Sequence, residues 1–443
     1  MFFNRKKNDN NKQDNGYWFE EEVKKAIHTN RVAKVLSNKA YIEGKHKILS
    51  KPDEQWKGET FKSCKVVLQE AKTILNFHTT YLLGNKPSII GSENMVRELN
   101  KVYRDSNYHR VDFNILSDVL KYGDAFEYVY FKDGKIVSKI IPSQDSYPVI
   151  DRQGIYTEFV EHWKDEDISH YNVYTMNKVE SYNDEDGQLR LVNSAKNITG
   201  LPIHYSNAQL NETYGRSELD DIVPILDLVE EIISKLTDAI YKLSINSIPV
   251  LTGQELNSTL DAGMVGSCIN LEMGSTFSFA NSEMDYNSIK LLLDTLHKKL
   301  NTIAGIPSIV GSSNISNVSE TSLGILYSLS SVKAMLNEQF VREGMLQRYE
   351  VIRKLLEMQG VKFNSDDYCD IEFVYSKPIN NSELLDNLKK QWEMGAISLT
   401  SIIEKSTIIS DTSQELERLE LENKKKDAKV EVKEENDGVE EVV

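Results

Sequence analysis

The sequence predicts an α+β fold in which blocks of helix and blocks of sheet follow one another. Three observations carry this. Apolar residues recur at helical spacing in several stretches up to Tyr122, the period drops to two from Ala125 onward, and long amphipathic stretches return after Ser217. Strand runs that follow helix runs suit α+β better than a parallel sheet. With 443 residues, 40% hydrophobic and 27% charged, the chain can fill two or three domains and bury a large core.

Residues 1–16, rich in Asn and Lys, read as a disordered arm. A mixed apolar and charged pattern over 19–36 predicts a first helix. A second is expected over 61–83, through Val66, Val67, Ala71, Ile74, Leu75 and His78, and Gly84-Asn85-Lys86-Pro87 stops it. Two more helices follow at 95–107 and 113–122. Strict alternation over 125–131 then turns at Asp133-Gly134 and returns over 135–141 as a hairpin. Further short strands are expected at 147–151, 155–163, 170–175 and 189–192, with Asp186-Gly187 as another turn.

Ser217 reads as the cap of a long helix reaching about residue 246. Glu218, Asp220 and Asp221 stand in its first turn, where negative charge meets the positive end of the helix dipole. Leu219, Ile222, Val223, Leu226, Val229, Ile233, Leu236, Ile240 and Leu243 form one face, and Pro224 is expected to bend it. Residues 248–280 hold short strands punctuated by Gly253, Gly263, Gly266 and Gly274, a β module too small for a core of its own. A helix over 286–304 follows, with Ile289, Leu292, Leu293, Leu296, Leu300 and Ile303 on one face. Then an uncharged Ser/Asn loop runs from Gly305 to Asn317, too polar to be buried.

The stretch 318–358 contains no proline and predicts one helix about 60 Å long. Its apolar face is read through Leu323, Leu326, Leu329, Leu336, Phe340, Met345, Tyr349, Ile352 and Leu356. Asn317 with Glu320 forms a capping box at its start, with Ser319 as the alternative cap. A strand at 370–375, helices at 381–392 and 398–405 broken at Gly395, a charged helix at 413–426 and an acidic tail at 429–443 complete the chain. From Glu415 to Val443 there are 11 acids and 6 bases, a solvated end.

The chemistry is as telling as the pattern. A net charge of −16 argues against a protein that grips nucleic acid through many phosphate contacts, though not against one that lets DNA pass. Cys64, Cys268 and Cys369 lie far apart, so neither a zinc site nor a disulfide framework is indicated and a reducing compartment is expected. The start lacks the apolar run of a signal peptide, and nowhere do 18 apolar residues run together. No phosphate-binding Gly-x-x-x-x-Gly-Lys loop, His-Glu-x-x-His or Gly-x-Ser-x-Gly is present. Asp220-Asp221 reads as a dipole complement and Glu230-Glu231 as a wet helix face; His162 and His170 read as strand or loop residues. Lys290, Lys298 and Lys299, with His297, form a modest basic cluster, either a DNA- or partner-facing patch or a solvated face. No catalytic residue, cofactor or metal site is expected.

Several stretches in order resemble the portal proteins of tailed double-stranded DNA bacteriophages, in particular the siphovirus portal family of Gram-positive hosts. They are Tyr122-Gly123-Asp124-Ala125-Phe126, Pro202-Ile203, Tyr214-Gly215-Arg216-Ser217-Glu218-Leu219, Ile225-Leu226-Asp227, the Gly305-Ile306-Pro307 to Ser322-Leu323-Gly324 crossing, Gly395-Ala396-Ile397-Ser398 and the acidic 411–422 run. The resemblance spans roughly 17–425. It implies a portal-like subunit with an α+β wing (17–216), stem helices (217–247 and 286–304), a small β clip (248–285), a channel loop (305–318), a long spine helix returning to the wing (319–380) and a short helical crown (381–428).

It further implies a ring of twelve at one capsid vertex, with Ser308, Ser312, Ser313, Asn314, Ser316 and Asn317 facing double-stranded DNA in the channel. Hydroxyl and amide groups can touch phosphates without the positive charge that would hold them. Twelve copies at −16 each would carry −192. The implied partners are the terminase large subunit, which would carry the ATPase, a head–tail adaptor, and scaffolding and major capsid proteins. The implied location is the virion, with host cytoplasm during assembly and no membrane. Two other readings stay open on the residues alone: a cytosolic oligomeric scaffold without a DNA role, and a metal-dependent hydrolase in which Asp220, Asp221 or Glu230 converges with a histidine.

Overall fold

The computed structural model describes residues 17–56, 59–207, 214–241, 248–253, 271, 273–280, 285–307, 320–378, 381–405, 415–416, 418–419 and 421–422. It falls into two compact units, 1–308 with 329–376, and 309–328 with 377–443.

The first unit opens with helices α1 (Trp18–Val23) and α2 (Ala26–Ile42), one helix in the sequence reading and two in the structure. Strands β1 (Glu54–Trp56) and β2 (Glu59–Phe61) pair antiparallel, and helix α3 begins only at Glu70 and ends at Leu83. The expected helix over 61–83 is therefore a helix only in its second half. The amides of Cys64, Val66 and Leu68 are instead taken by side chains of a later helix. Strand β3 (Ser88–Gly91) precedes α4 (Glu93–Asp105) and α5 (Tyr108–Tyr122). Burial of Ile115, Leu116, Val119 and Leu120 puts α5 at the centre of this unit.

Eight strands follow: β4 (Asp124–Lys132), β5 (Lys135–Ile141), β6 (Ser146–Ile150), β7 (Tyr156–Asp165), β8 (Ile168–Tyr174), β9 (Lys178–Asn183), β10 (Arg190–Lys196) and β11 (Ile203–Ser206). They make a five-stranded sheet in the order β10-β9-β8-β7-β6 and a three-stranded sheet in the order β11-β4-β5. The β4–β5 hairpin turns at Asp133 and Gly134, both at positive φ, as the Asp-Gly pair requires. Phe126 and Ile141 of one sheet meet Phe159 and Tyr174 of the other in a shared apolar cluster.

Helix α6 (Leu219–Ala239) passes through Pro224. Strands β12 (Ile248–Thr252) and β13 (Thr276–Ala280) pair antiparallel, Ile248 opposite Ala280. Helix α7 (Tyr286–Ala304) has the expected bounds, and the Asp285 side chain accepts from the Ser288 N–H at its start.

The expected single helix over 318–358 is two: α8 (Glu320–Leu326) and α9 (Ser328–Met358), separated at Tyr327. Gly324 and a Ser-rich run (Ser328, Ser330, Ser331) supply the weak helix formers around that break. The buried face of α9 also differs at its start. It runs through Ser330, Ala334, Asn337 and Val341, while Leu329 and Leu336 are exposed; from Met345 the expected Tyr349, Ile352 and Leu356 are buried. Small residues face inward because α9 lies close to its neighbours: a Cβ at Gly344 would sit 2.4 Å from the Tyr205 ring. Strand β14 (Cys369–Glu372) then pairs antiparallel with β3.

In the second unit α8 stands with α10 (Asn381–Glu393) and α11 (Leu399–Lys405). Gly395 at φ +71 ends α10, and the Ser398 hydroxyl accepts from Ser401 N at 3.2 Å to start α11. Leu388 and Ile403 are the buried side chains of this helical hairpin. Most of the charged helix expected over 413–426, and the acidic tail, lie outside the described residues.

Candidate functional site

The polar loop that the sequence singles out begins where α7 ends, and side chains from three other places in the first unit meet there. Gly305, at φ +67, closes α7, and the Ile306 N–H reaches back to the Asn301 carbonyl at 2.9 Å. The free carbonyls at this end are claimed by side chains. His78 Nε2 of α3 donates to the Ala304 oxygen at 2.6 Å, and Ser330 of α9 donates to the Gly305 oxygen at 2.7 Å. Burial, with Lys333 nearby, holds the His78 imidazole down to about 4, so it is neutral at pH 7 and carries its proton on the nitrogen that faces Ala304. Lys333 Nζ also reaches the Ala304 oxygen, at 3.5 Å, and pairs with Glu218 at 2.6 Å. A cation at a helix C-terminus answers the negative end of its dipole.

Glu218 stands one residue before α6, and its backbone is fixed in turn. Its N–H donates to the Leu120 carbonyl of α5 at 3.0 Å. Ser217 donates to the Lys121 oxygen at 2.6 Å and accepts from Leu219 N at 3.1 Å, so its hydroxyl takes the first amide of α6 although the N-cap position itself falls one residue later, on Glu218. Two of the quoted motifs touch here. A Cβ on Gly215 would lie 2.0 Å from the Gly123 oxygen, and one on Gly123 would lie 2.5 Å from the Gly215 backbone. Only glycine at both positions lets the backbones approach this closely. Asp124, buried beside them, accepts from Gly215 N at 3.0 Å and bonds His204 at 2.6 Å. Across the same junction Asn207 accepts from Arg216 N at 3.1 Å and donates to the Arg216 carbonyl.

A second set of polar side chains ties α9 to both the helices and the sheet. Arg348 is fully buried, on the same stripe as Met345, Tyr349 and Ile352. Its Nε donates to Glu127 of β4 at 2.8 Å, and its Nη1 donates to Tyr103 of α4 at 2.9 Å and to Asp112 of α5. Tyr205 of β11 donates to Glu127 at 2.6 Å. Burial pushes the Asp112 carboxyl up to about 6 although Arg348 pulls it down. A charged residue in an otherwise apolar stripe is the sequence signal that could have found Arg348.

A third set explains the irregular segment before α3. Cys64 N donates to Asp238 at 2.9 Å, Val66 N to Ser234 at 3.0 Å and Leu68 N to Glu230 at 2.7 Å. Every second residue of an extended chain advances about 6.6 Å, and every fourth residue of a helix about 6 Å, so the two repeats stay in step. Residues 64–68 therefore lie extended along α6, with their amides taken by its side chains. Glu230 also bonds His46 Nδ1 at 2.6 Å and is buried, which corrects its reading as part of a wet face; Glu231 keeps that reading, pairing with Lys51 and Lys235. Neighbours on a helix point about 100° apart, so one glutamate of the pair turns in and the other out.

Ser308, Ser312, Ser313, Asn314, Ser316 and Asn317 lie outside the described residues. Lys290, Lys298 and Lys299 are exposed on α7. At about 100° per residue, Lys298 is turned roughly 80° from Lys290 and Lys299 roughly 180°, so the helix does not gather all three on one face. Their neighbour His297 faces Glu70 at 3.6 Å. Asp220 is bound by Lys34 at 2.5 Å and Arg216 at 3.2 Å, and Asp221 by Arg216 at 2.7 Å. Glu230 does meet a histidine, but in a buried pair already occupied by the Leu68 amide. His162 and His170 sit at adjacent register positions on opposite faces of the sheet, His170 opposite Trp163 and His162 opposite Tyr171. Among the described residues no three His, Cys, Asp or Glu side chains are grouped to hold a metal, and no helix is long and apolar enough to cross a membrane.

Among solved structures the chain is similar to the neck of an empty GTA particle computed with C6 symmetry, at 9% identity and a TM-score of 0.48 over 78% of this chain and 88% of that one. It is also similar to the neck of a native GTA particle computed with C12 symmetry, at 9% identity and a TM-score of 0.45 over 79% and 88%. A third similar structure is the virion of a native gene transfer agent particle, at 12% identity and a TM-score of 0.43 over 75% and 87%. A search of curated proteins gives no match. The family model described as phage portal protein, SPP1 Gp6-like, matches residues 21–429. That match takes in nearly the whole chain, which therefore belongs to the SPP1 Gp6-like phage portal protein family.

Proposed function

We propose that this portal protein forms a ring of twelve at one vertex of the capsid and serves as the channel through which DNA enters and leaves. The family match over residues 21–429 carries the proposal. In this reading 17–216 form the wing, 217–247 and 286–304 the stem, 248–285 the clip, 305–318 the channel loop, 319–380 the spine and its return to the wing, and 381–428 the crown. Ser308, Ser312, Ser313, Asn314, Ser316 and Asn317 face the DNA, touching phosphates through neutral groups that do not trap them. Lys290, Lys298 and Lys299 face solvent, DNA or a partner from separate sides of the stem helix.

The clip docks the terminase large subunit during filling and the head–tail adaptor afterwards, and the wing meets scaffolding and major capsid proteins. Assembly takes place in the host cytoplasm, and the product resides in the virion. The clasp at the end of α7 supports this reading, since a loop that works against moving DNA needs a fixed base. His78, Ser330, Lys333 and Glu218 supply one from two elements, α3 and α9, and the lead-in to α6.

The test is imaging of the purified chain together with its mass in solution. A ring with a central hole and a mass near twelve times 50.6 kDa is expected. Rings that form normally, yet package DNA normally when Ser312, Ser313 and Asn314 are all replaced by glutamate, would overturn the channel role of the loop.

A further inference from the structure

The five-stranded sheet ends on β10, which pairs with β9 and with no other strand among the described residues. All seven residues of β10 are exposed, Leu191 by 50% and Val192 by 63%, and none is proline. Such an edge presents unpaired N–H and C=O groups, here interrupted by a bulge between Leu191 and Asn193 and flanked by the charges of Arg190 and Lys196.

A cleft of about 600 Å³ opens beside it, between the two sheets. Its walls include Tyr128, Tyr130 and Phe131 of β4, Lys139 of β5, Tyr174 of β8 and Lys196 of β10. Asn193 and Ala195, two positions apart, also line it, so one face of the edge strand looks into the cleft. No carboxylate lines it, on a chain whose net charge is −16. Lys139 is matched by Glu161 at 2.5 Å, while Lys196 has no acidic partner among the described residues.

We propose that β10 and this cleft together receive an extended segment of a partner protein by strand addition. The segment pairs its backbone with β10, turns alternate aliphatic side chains toward the tyrosine-lined cleft, and carries carboxylates at its ends. The charges select this occupant over a second copy of the same strand. Antiparallel pairing of β10 with itself would set Arg190, which Asp186 holds at 2.7 Å, opposite Lys196 at both ends, and like charges directly opposed are unfavourable. The proposal does not depend on the channel reading.

The test uses the full chain and two fluorescein-labelled peptides, Glu-Val-Thr-Val-Thr-Val-Glu and Lys-Val-Thr-Val-Thr-Val-Lys, followed by fluorescence anisotropy. Saturable binding of the acidic peptide is expected, with the basic one at least about tenfold weaker. Lys196→Glu should weaken the acidic peptide about tenfold and Lys196→Met less, both with unchanged circular dichroism, since Lys196 is exposed. Slowed hydrogen exchange on peptide binding should fall on residues 190–196. Absence of saturation by about 1 mM, equal binding of the two peptides, or indifference to Lys196→Glu would overturn the proposal. So would a change in the mass of the chain's own assemblies as the sole effect of Lys196→Glu, because the edge would then be a contact between copies.

Discussion

Replacing Glu230 by alanine should release the segment that lies along α6. The Glu230 carboxylate accepts two hydrogen bonds from buried or half-buried donors, Leu68 N at 2.7 Å and His46 Nδ1 at 2.6 Å. Alanine cannot accept either, and each donor left unsatisfied costs roughly 1–3 kcal/mol. The two together come to about 2–6 kcal/mol, and about 3–5 kcal/mol is what breaking a buried charged pair costs, several times the loss of a single neutral bond. Ser234→Ala gives the internal scale. It removes one neutral acceptor, that of Val66 N at 3.0 Å, for about 1 kcal/mol.

The assay is hydrogen exchange read by mass spectrometry on peptides covering residues 63–69. Each 1.4 kcal/mol is about a factor of ten in the opening equilibrium. Glu230→Ala should therefore speed exchange there by about a hundredfold or more, and Ser234→Ala by less than about tenfold. Local exchange is a better readout than a melting temperature, because a chain of two units need not unfold in one step. Equal acceleration in the two variants would refute the reasoning. So would acceleration by Glu230→Ala spread evenly over the first unit, for it would mean that α6 packing and not the amide contacts had been lost.

Two further outcomes follow from the buried junctions. The Asp112 carboxyl, pushed up to about 6, keeps in the folded chain a proton that the unfolded chain releases near 3.8. Stability from this group is therefore full below about pH 4 and is lost as pH rises through about 6, an effect of roughly 3 kcal/mol; denaturant titrations at pH 4, 5, 6 and 7 should show this component in the parent and not in Asp112→Asn, and identical pH profiles would sink it. Gly215→Ala forces a Cβ against the Gly123 carbonyl and should destabilise the first unit by about 2–4 kcal/mol, seen as a lower denaturant midpoint; a midpoint unchanged from the parent's would show that the contact yields freely.

The helices and the main hairpin were legible because their periods are clean. Residues 286–304 alternate charge and leucine at helical spacing, and Asp133-Gly134 can hardly be anything but a tight turn. What escaped was decided by partners distant in sequence. Val66 and Val67 fit a helical pattern, but the amides around them are taken by Glu230, Ser234 and Asp238, and no local rule sees that competition. Strand β9 was missed because Lys178-Val179-Glu180-Ser181-Tyr182-Asn183 offers only two apolar residues, and β11 because four residues barely make a pattern. In α9 the large residues Leu329 and Leu336 drew the face to the wrong side, since the buried positions at the start needed to be small. At the base of the polar loop, Gly305 and the Ser217 hydroxyl were readable, whereas the grip on the Ala304 carbonyl needs three-dimensional proximity, across more than 200 residues for His78 and across the loop for Lys333.

The pair of hydrogen bonds between the Asn207 side chain and the Arg216 backbone has a practical consequence for anyone who wishes to label this protein. It cinches the chain on either side of residues 208–213, so the neck is held independently of what the chain does beyond it. Lengthening a connection whose ends are already fastened costs little, about 0.6 kcal/mol for each doubling of its length. A peptide tag or a fluorophore-bearing insert placed between Gln209 and Leu210 would then leave the Gly123–Gly215 contact and the start of α6 under no added load.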